Sequence, residues 1–321
     1  VLIIDDFSTC PWPGLSSVVT IGAFDGLHIG HRTIIGRVIE QASESEGRRS
    51  VLVTFDRHPA SLVRPESAPK LLSTHEHKVE LLSQTGLDAT AVITFDESQA
   101  AESPEEFVER VLVNCLRAET VVVGEDFHFG RGRSGNVELL RRLGERHGFS
   151  VRPLQLVSTG ETITSSTAIR SAIATGDVEA AGVMLDRPFE VRGVVRRGDA
   201  RGRTIGFPTA NIEVSTKYAQ PAEGVYAAWY VREFPDGSTV SLPAAVNIGR
   251  RPTFYEHAPF ALIEAHVIDG RDLDLYEEKA RLQFVARLRA EKKFDSLEDL
   301  KQQLEVDIDE ARRRLSGQAR I

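Results

Sequence analysis

The stretch "SVVTIGAFDGLHIGH", Ser17 to His31, decides how the first half of the chain folds. Its opening run is β-branched and apolar, the composition of a strand buried on both faces, and a glycine-rich turn and a helical pattern follow. In open parallel sheets, ligands bind where such turns leave the strands. Free amides and the dipole at the helix start favour an anion, and Gly26 and Gly30 let backbone or ligand approach closely. His28 and His31 are expected on one helical face, where both imidazoles can donate to phosphate oxygens. Paired histidines at this spacing are by themselves unremarkable. Strand, glycine turn and helix together turn the preference toward a phosphate site.

The same texture recurs in "SVLVTF" (50–55), "ATAVITF" (89–95), "TVVVG" (120–124) and "SVRPLQL" (150–156), separated by helical patterns. Such alternation predicts a doubly wound α/β domain with a parallel sheet. Ser103 as N-cap, Pro104 at the first helical position and Glu105 and Glu106 in the first turn mark one helix clearly. After "GDVEAAGVMLDRPF" the helical pattern gives way to "FEVRGVV", "GVYAAWYV", "TVSLPAAVNIG", "FALIEAHVID" and "ARLQFVARL", which predict an antiparallel β-barrel or sandwich. The boundary is expected near Asp186 to Pro188, dividing the chain into residues 1–186 and 187–321. A last helix follows, capped by Ser296, with Leu297, Leu300, Leu304, Ile308, Ala311 and Leu315 as an apolar stripe against the barrel.

The 321 residues suit two domains, with 41% hydrophobic and 27% charged residues, a globular balance. A net charge of −8 disfavours a broad grip on nucleic acid but leaves small anionic ligands open. Two cysteines, Cys10 and Cys115, without a metal-binding or disulfide pattern, fit a reducing compartment, and the cytoplasm is expected. No apolar run approaches the ~20 residues of a membrane span, and "VLIIDDFSTC" is not signal-like. Homo-oligomerisation is left open.

"HIGH" is also a signature of class I aminoacyl-tRNA synthetases and their nucleotidyltransferase relatives, but this chain has no "KMSKS"-like loop. It has "ITSSTAIRSAIATGD" (163–177) instead. There Ser165, Ser166 and Thr167 offer hydroxyl and amide donors at a helix start, and Arg170 follows one turn later. "GAFDGLHIGH", "TFDRHP", "VVVGEDFHFGRGRSG" and "SSTAIR" together resemble the FMN adenylyltransferase half of bifunctional bacterial FAD synthetases. The resemblance implies an ATP site at Gly22, Phe24, Asp25, His28, Gly30, His31, Ser165, Ser166, Thr167 and Arg170, with the histidines catalytic. It also implies a flavin site at Asp56, His58, Asp126, Phe127 and Phe129. Arg57 and His77 depart from that pattern, which commonly has proline and an acidic residue there.

In the second half, "RRGDARGR" (196–203) reads either as a phosphate-covering loop or as an exposed basic turn. In "GFPTAN" (206–211), Thr209 and Asn211 place neutral oxygens on one side of an extended segment, suited to Mg²⁺ with ATP phosphates, or simply to a locally bonded turn. Alternation in "ALIEAHVID" puts Glu264 and His266 on one face. With "PAEGVYAAW", "VNIGRRPTF" and "LRAEKKFDSLEDL", these segments resemble the riboflavin kinase module, a compact β-barrel followed by a helix. That resemblance implies ATP binding at Gly206, Thr209 and Asn211, with the last two also holding Mg²⁺. It makes Glu264 the general base and sets Arg289 and Phe294 near the flavin. Glu277 stands where the family commonly has glycine. The ligands so implied are riboflavin, FMN, FAD, ATP and ADP. The competing readings are a chain in which only one module is active and a non-catalytic flavin-binding regulator, the latter distinguished by its failure to consume ATP.

Overall fold

The computed structural model describes residues 1–155, 158–159, 162–198, 202, 205–234, 236–249, 260–270 and 273–317. They form two compact units, Val1–Ser165 and Ser166–Ile321. Parts of "RRGDARGR" and the "RRPTF" of residues 250–254 lie outside the described residues.

In the first unit β1 (Leu2–Ile4) and β2 (Ser16–Ile21) precede helix α1 (Ile29–Ser43). Strand β3 (Arg48–Phe55) leads to the single turn α2 (Ala60–Val63) and to α3 (His75–Ser83). After β4 (Ala89–Ile93) come α4 (Glu97–Ala101) and α5 (Pro104–Phe107), the latter continued by a π-helical stretch, Val108–Cys115. Then follow β5 (Ala118–Gly124), the hairpin of β6 (His128–Phe129) and β7 (Gly135–Asn136), α6 (Val137–His147) and β8 (Ser150–Leu154). A small hairpin of β9 (Ser158–Thr159) and β10 (Thr162–Ile163) closes the unit.

The six long-range strands pair in parallel in the order β1-β4-β3-β2-β5-β8. From β2 the chain winds through β3 to β4, then returns to the other side of β2 for β5 and β8, so the winding reverses between β2 and β5. Alternation sorts the strand side chains between two cores. Val19, Ile21, Val51, Val53, Val121 and Val123 pack with Phe107, Val111, Leu112 and Leu140. Val18, Leu52 and Val122 pack on the opposite side with Ile35 and Val38 of α1 and Leu81 and Leu82 of α3. This is the doubly wound α/β fold that the sequence predicts. The capping box at Ser103 and Glu106 is present as expected.

The second unit opens with α7 (Ser166–Thr175) and α8 (Val178–Leu185). Its strands are β11 (Phe189–Arg196), β12 (Ala210–Ser215), β13 (Gly224–Glu233), β14 (Thr239–Ile248), β15 (Phe260–Val267) and β16 (Lys279–Arg289), and α9 (Leu297–Ser316) ends it. The strands close an antiparallel barrel in the order β11-β12-β15-β14-β13-β16, with β11 and β16 completing the ring. The compact division falls before α7, earlier than the boundary expected near residue 186. The cause is packing: Ala222 N–H donates to Ile173 O at 3.2 Å, and Arg287 of β16 donates to Thr175 O at 3.1 Å. The change of texture marks where strands begin, whereas α7 and α8 already pack with the barrel.

Helix α9 lies on the barrel wall, with Ala311 and Leu315 buried among Ala227, Trp229, Val285 and Ala286. Ser296 caps it, accepting from Asp299 N–H at 3.1 Å. The buried stripe is shorter than predicted, because Leu297 is 55% exposed. Among the described residues, no helix is long and apolar enough to cross a membrane.

Candidate active sites

Gly22 N–H donates to Val53 O at 3.0 Å, carrying the ladder one residue beyond β2. The chain then folds sharply, with φ of 48° at Phe24, 81° at Gly26 and 40° at Leu27. Glycine adopts such angles readily, whereas Phe24 and Leu27 are held there by near-complete burial of their side chains. The Phe24 ring covers Gly22, where a Cβ would meet it at 3.1 Å. Asp25 is buried, and its carboxylate accepts from the amides of Leu72 at 3.0 Å and Ser73 at 3.2 Å. The turn is thereby fastened to the segment entering α3.

His28 is the N-cap of α1 and stands outside its first turn; its Nδ1 accepts from His31 N–H at 3.4 Å. With Nδ1 an acceptor, the neutral ring carries its proton on Nε2. The pair meets by capping and stacking rather than along one helical face, with ring centroids 3.6 Å apart and planes at 20°. A Cβ on Gly30 would lie 3.2 Å from the His28 ring and 3.7 Å from Thr164 O, so this glycine admits both the ring and the chain approaching Ser165. Ser165 ends the first unit, and Ser166, Thr167 and Arg170 belong to α7 in the second.

Across the winding reversal, the chain leaving β5 enters the β6–β7 hairpin. Gly22, His58, Phe95, Asp126, Phe127 and Phe129 are among the residues lining a cavity of about 320 Å³. Phe127 and Phe129 stack at 5.3 Å and 11°, and Phe107 lies 5.9 Å from Phe129. Such walls suit a flat aromatic ligand, with polar groups at the rim to orient it. His58 Nδ1 accepts from Ala60 N–H at 3.1 Å, which leaves Nε2 as the protonated nitrogen of the neutral ring. Asp56 accepts from Phe95 N–H at 2.9 Å and from Arg57 at 2.9 Å, joining the end of β3 to the segment after β4. Partial burial opposes its charge, yet the bonds from Arg57 and Phe95 hold its carboxyl below the usual carboxylate range.

Lys78, next to His77, was not singled out in the sequence, but the structure puts it beneath this site. It is 8% exposed, and its Nζ donates to Phe55 O at 2.7 Å, Thr54 Oγ1 at 3.2 Å and Ala23 O at 3.4 Å. A lysine within a helix pattern normally reads as solvent-facing, so position alone does not reveal it.

In the barrel, the register sets Asn211 of β12 opposite Glu264 of β15, and Glu264 opposite Asn247 of β14. The carboxylate strand is thus flanked by two amides, of which Asn247 was signalled only by its place in "VNIG". Thr209 lines a cavity of about 40 Å³ with Pro208, Ala265, Val267, Leu273 and Tyr276. His266 Nδ1 lies 2.7 Å from Pro208 O, fastening the "GFPTAN" segment to β15. Gly206 turns that segment at φ 93°. A Cβ on Gly198 would stand 2.3 Å from Asn211 Nδ2, and one on Gly202 3.5 Å from Thr209 Oγ1, so these two glycines lie directly against the two side chains. Arg289 reaches Asp307 of α9 through Nε at 2.9 Å and Nη2 at 2.7 Å, with its guanidinium 5.8 Å from the Phe294 ring centre. Asp307, almost fully buried, was missed in the sequence, although it stands three residues after Leu304 and four before Ala311, at the spacing of the apolar stripe.

A sequence model of the FAD synthetase family matches residues 14–168, and one of the riboflavin kinase family matches residues 185–315. The bifunctional riboflavin kinase/FMN adenylyltransferase of Bacillus subtilis (strain 168) is 34% identical over 94% of this chain and 93% of its own length. The chain belongs to the bifunctional riboflavin kinase/FMN adenylyltransferase family. The proteins of that name from Escherichia coli (strain K12) and Pseudomonas fluorescens are 35% and 37% identical, over 95% and 92% of this chain and 94% and 92% of their own lengths. A crystal structure titled as a macrolide-efflux protein from Streptococcus pneumoniae shares the fold, with a TM-score of 0.82 and 28% identity over 97% of this chain and 98% of that one. Both enzymatic modules are present here, adenylyltransferase first and kinase second. The histidine turn and the aromatic cavity lie within the adenylyltransferase match, and the Asn211–Glu264–Asn247 row lies within the kinase match.

Proposed function

We propose that residues 1–186 serve adenylyl transfer to FMN and residues 187–321 serve phosphorylation of riboflavin, with the site residues divided accordingly. The observation that carries the first assignment is that Gly22 and Ala23, which open the turn leading to His28 and His31, also line the aromatic cavity beside the winding reversal. FMN sits with its ring against Phe127 and Phe129, while Asp126 and His58 meet its polar edge and Asp56 holds the cavity wall. An FMN phosphate oxygen attacks the α-phosphorus of ATP; a P–O bond forms there as the α–β bridging bond breaks, and pyrophosphate leaves with the bonding electrons. His28 Nε2–H, His31 and the α1 amides donate to phosphate oxygens as charge redistributes. Gly22, Phe24, Asp25 and Gly30 shape that seat. Ser165, Ser166, Thr167 and Arg170 add donors to ATP, a role supported by the sequence resemblance.

In the kinase module, Glu264 takes the proton of the riboflavin 5′-hydroxyl as its oxygen attacks the γ-phosphorus and ADP leaves. Thr209 and Asn211 are the Mg²⁺ residues, with Gly206 beside the nucleotide and Arg289 and Phe294 beside the flavin. Two neutral oxygens fit a hard cation that takes its other ligands from phosphate and water, and among the described residues no group of three or more His, Cys, Asp or Glu could hold a metal. When bound, Mg²⁺ offsets charge on the ATP phosphates. The partners are small molecules: riboflavin, FMN, FAD, ATP and ADP. A cytoplasmic setting without nucleic acid is supported by the cysteine usage and acidic charge.

Chromatographic separation of flavins after incubation with riboflavin, ATP and Mg²⁺ tests the proposal. FMN followed by FAD is expected. Unchanged riboflavin, with supplied FMN also unconverted, would instead favour a flavin-binding regulator.

A further inference from the structure

The Lys78 ammonium occupies the seam between the two parallel strands that deliver the adenylyl-transfer residues. Ala23 lies in the turn that continues to His28 and His31, and Phe55 is the residue before Asp56, two before Arg57 and three before His58. One Nζ bonds the carbonyls of both, and Thr54 Oγ1 adds its own bond to Ala23 O at 3.1 Å. The helix that carries Lys78 is itself tied to the same turn, because Asp25 holds the amides of Leu72 and Ser73 just ahead of the Thr74 cap. Carbonyl oxygens at strand ends are ordinarily satisfied by amides or water. An ammonium buried for that purpose alone is an expensive choice.

We propose that Lys78 is a positioning residue for adenylyl transfer: by holding Ala23 O and Phe55 O at one spacing, it fixes the phosphate turn relative to the flavin-nucleotide wall. This rests on reading that turn as the adenylyl-transfer site. The facing charged groups are Asp25, on the turn, and Asp56, after β3; both favour the ammonium, while burial opposes it and brings it from 10.5 down to about 8. Loss of the proton removes one of three donors and the charge, so the clamp weakens in a readable pH range. Bound polyanions retain the proton, so the effect belongs to kcat/KM, which reports the free enzyme, more than to kcat.

The test is the pH dependence of kcat/KM for FAD formation from FMN, with riboflavin phosphorylation followed in the same samples. For the wild-type chain, the FAD-forming activity is expected to fall as pH rises through about 8 while the kinase profile has no matching limb. Lys78→Arg, which stays charged, should lack that limb, and Lys78→Met should lose about 100-fold in FAD formation at neutral pH with kinase activity kept. Wild-type FAD formation by Lys78→Met at neutral pH overturns the proposal, as does the same limb persisting in Lys78→Arg. The double variant His28→Ala, His31→Ala separates the levels. Retained FAD synthesis there would remove the underlying reading, whereas its loss beside wild-type behaviour of both Lys78 variants would reject Lys78 alone.

Discussion

At the scale of single residues, Lys78 also leaves a signature in stability. Its folded-state value near 8 lies below the ordinary 10.5, so between those values the unfolded chain binds a proton that the folded chain does not. Stability of the first unit therefore rises with pH across that interval, by on the order of 3 kcal/mol if the full shift is realised. Cys115 acts with the opposite sign: burial pushes its thiol from 9.0 to about 11, so above about pH 9 the unfolded chain gains charge that the folded chain resists. Comparing wild type with Lys78→Met removes that shared contribution. Unfolding midpoints measured through this range should show a pH-dependent increment in the wild type that the variant lacks; parallel curves would mean that Lys78 titrates as an ordinary surface lysine. Such a group was invisible in the sequence, because "STHEHKVELL" has the polar texture of an exposed helix. His28 and His31 were legible, but only as a pair; that one caps the helix and stacks on the other follows from the strained turn at Phe24 and Leu27.

At the scale of elements, the joint between β16 and α9 depends on one acid placed where the helix pattern asks for an apolar residue. Asp307 accepts from Arg289 at two distances and from Gln303 at 3.0 Å, and its side chain is 4% exposed against 21% for Arg289. Removing the carboxylate strands a guanidinium that can partly return to water, so Asp307→Ala should destabilise the second unit by about 2 kcal/mol, below the range for a fully buried pair. Denaturant unfolding checks this, and an unchanged midpoint would show that the pair contributes nothing net. Because Arg289 and Phe294 are assigned to the flavin, the same variant should raise the KM for riboflavin while conversion of supplied FMN continues. Most strands were legible from β-branched runs. The exception in the barrel was β12, whose residues read chiefly as a ligand segment because Pro208, Thr209 and Asn211 drew attention to a turn. The helices before the barrel were legible as helices but not as its companions, since an amphipathic face does not declare which neighbour it will meet.

At the scale of the whole molecule, the chain joins two folds that solve different problems with ATP. An open parallel sheet presents a helix start and an aromatic cavity at its winding reversal, suited to joining two phosphates at the α position. A closed barrel sets a carboxylate between two amides across three adjacent strands, suited to freeing a hydroxyl to attack the γ position. The order of the two folds was readable from the change in hydrophobic period, whereas the roles of the histidine, "GFPTAN" and glutamate segments rested on their resemblance to known families, since residue chemistry alone left simpler readings open. What joined the motifs into sites was strand order and register, properties of pairs of distant segments. The most direct test of the division is to assay His28→Ala, His31→Ala and, separately, Glu264→Ala for both FMN and FAD formation. The double histidine variant should lose FAD formation by about 100-fold or more and keep riboflavin phosphorylation, and Glu264→Ala should do the reverse when FMN is supplied. Loss of both activities in either folded variant, or retention of FAD formation without the histidines, would contradict it.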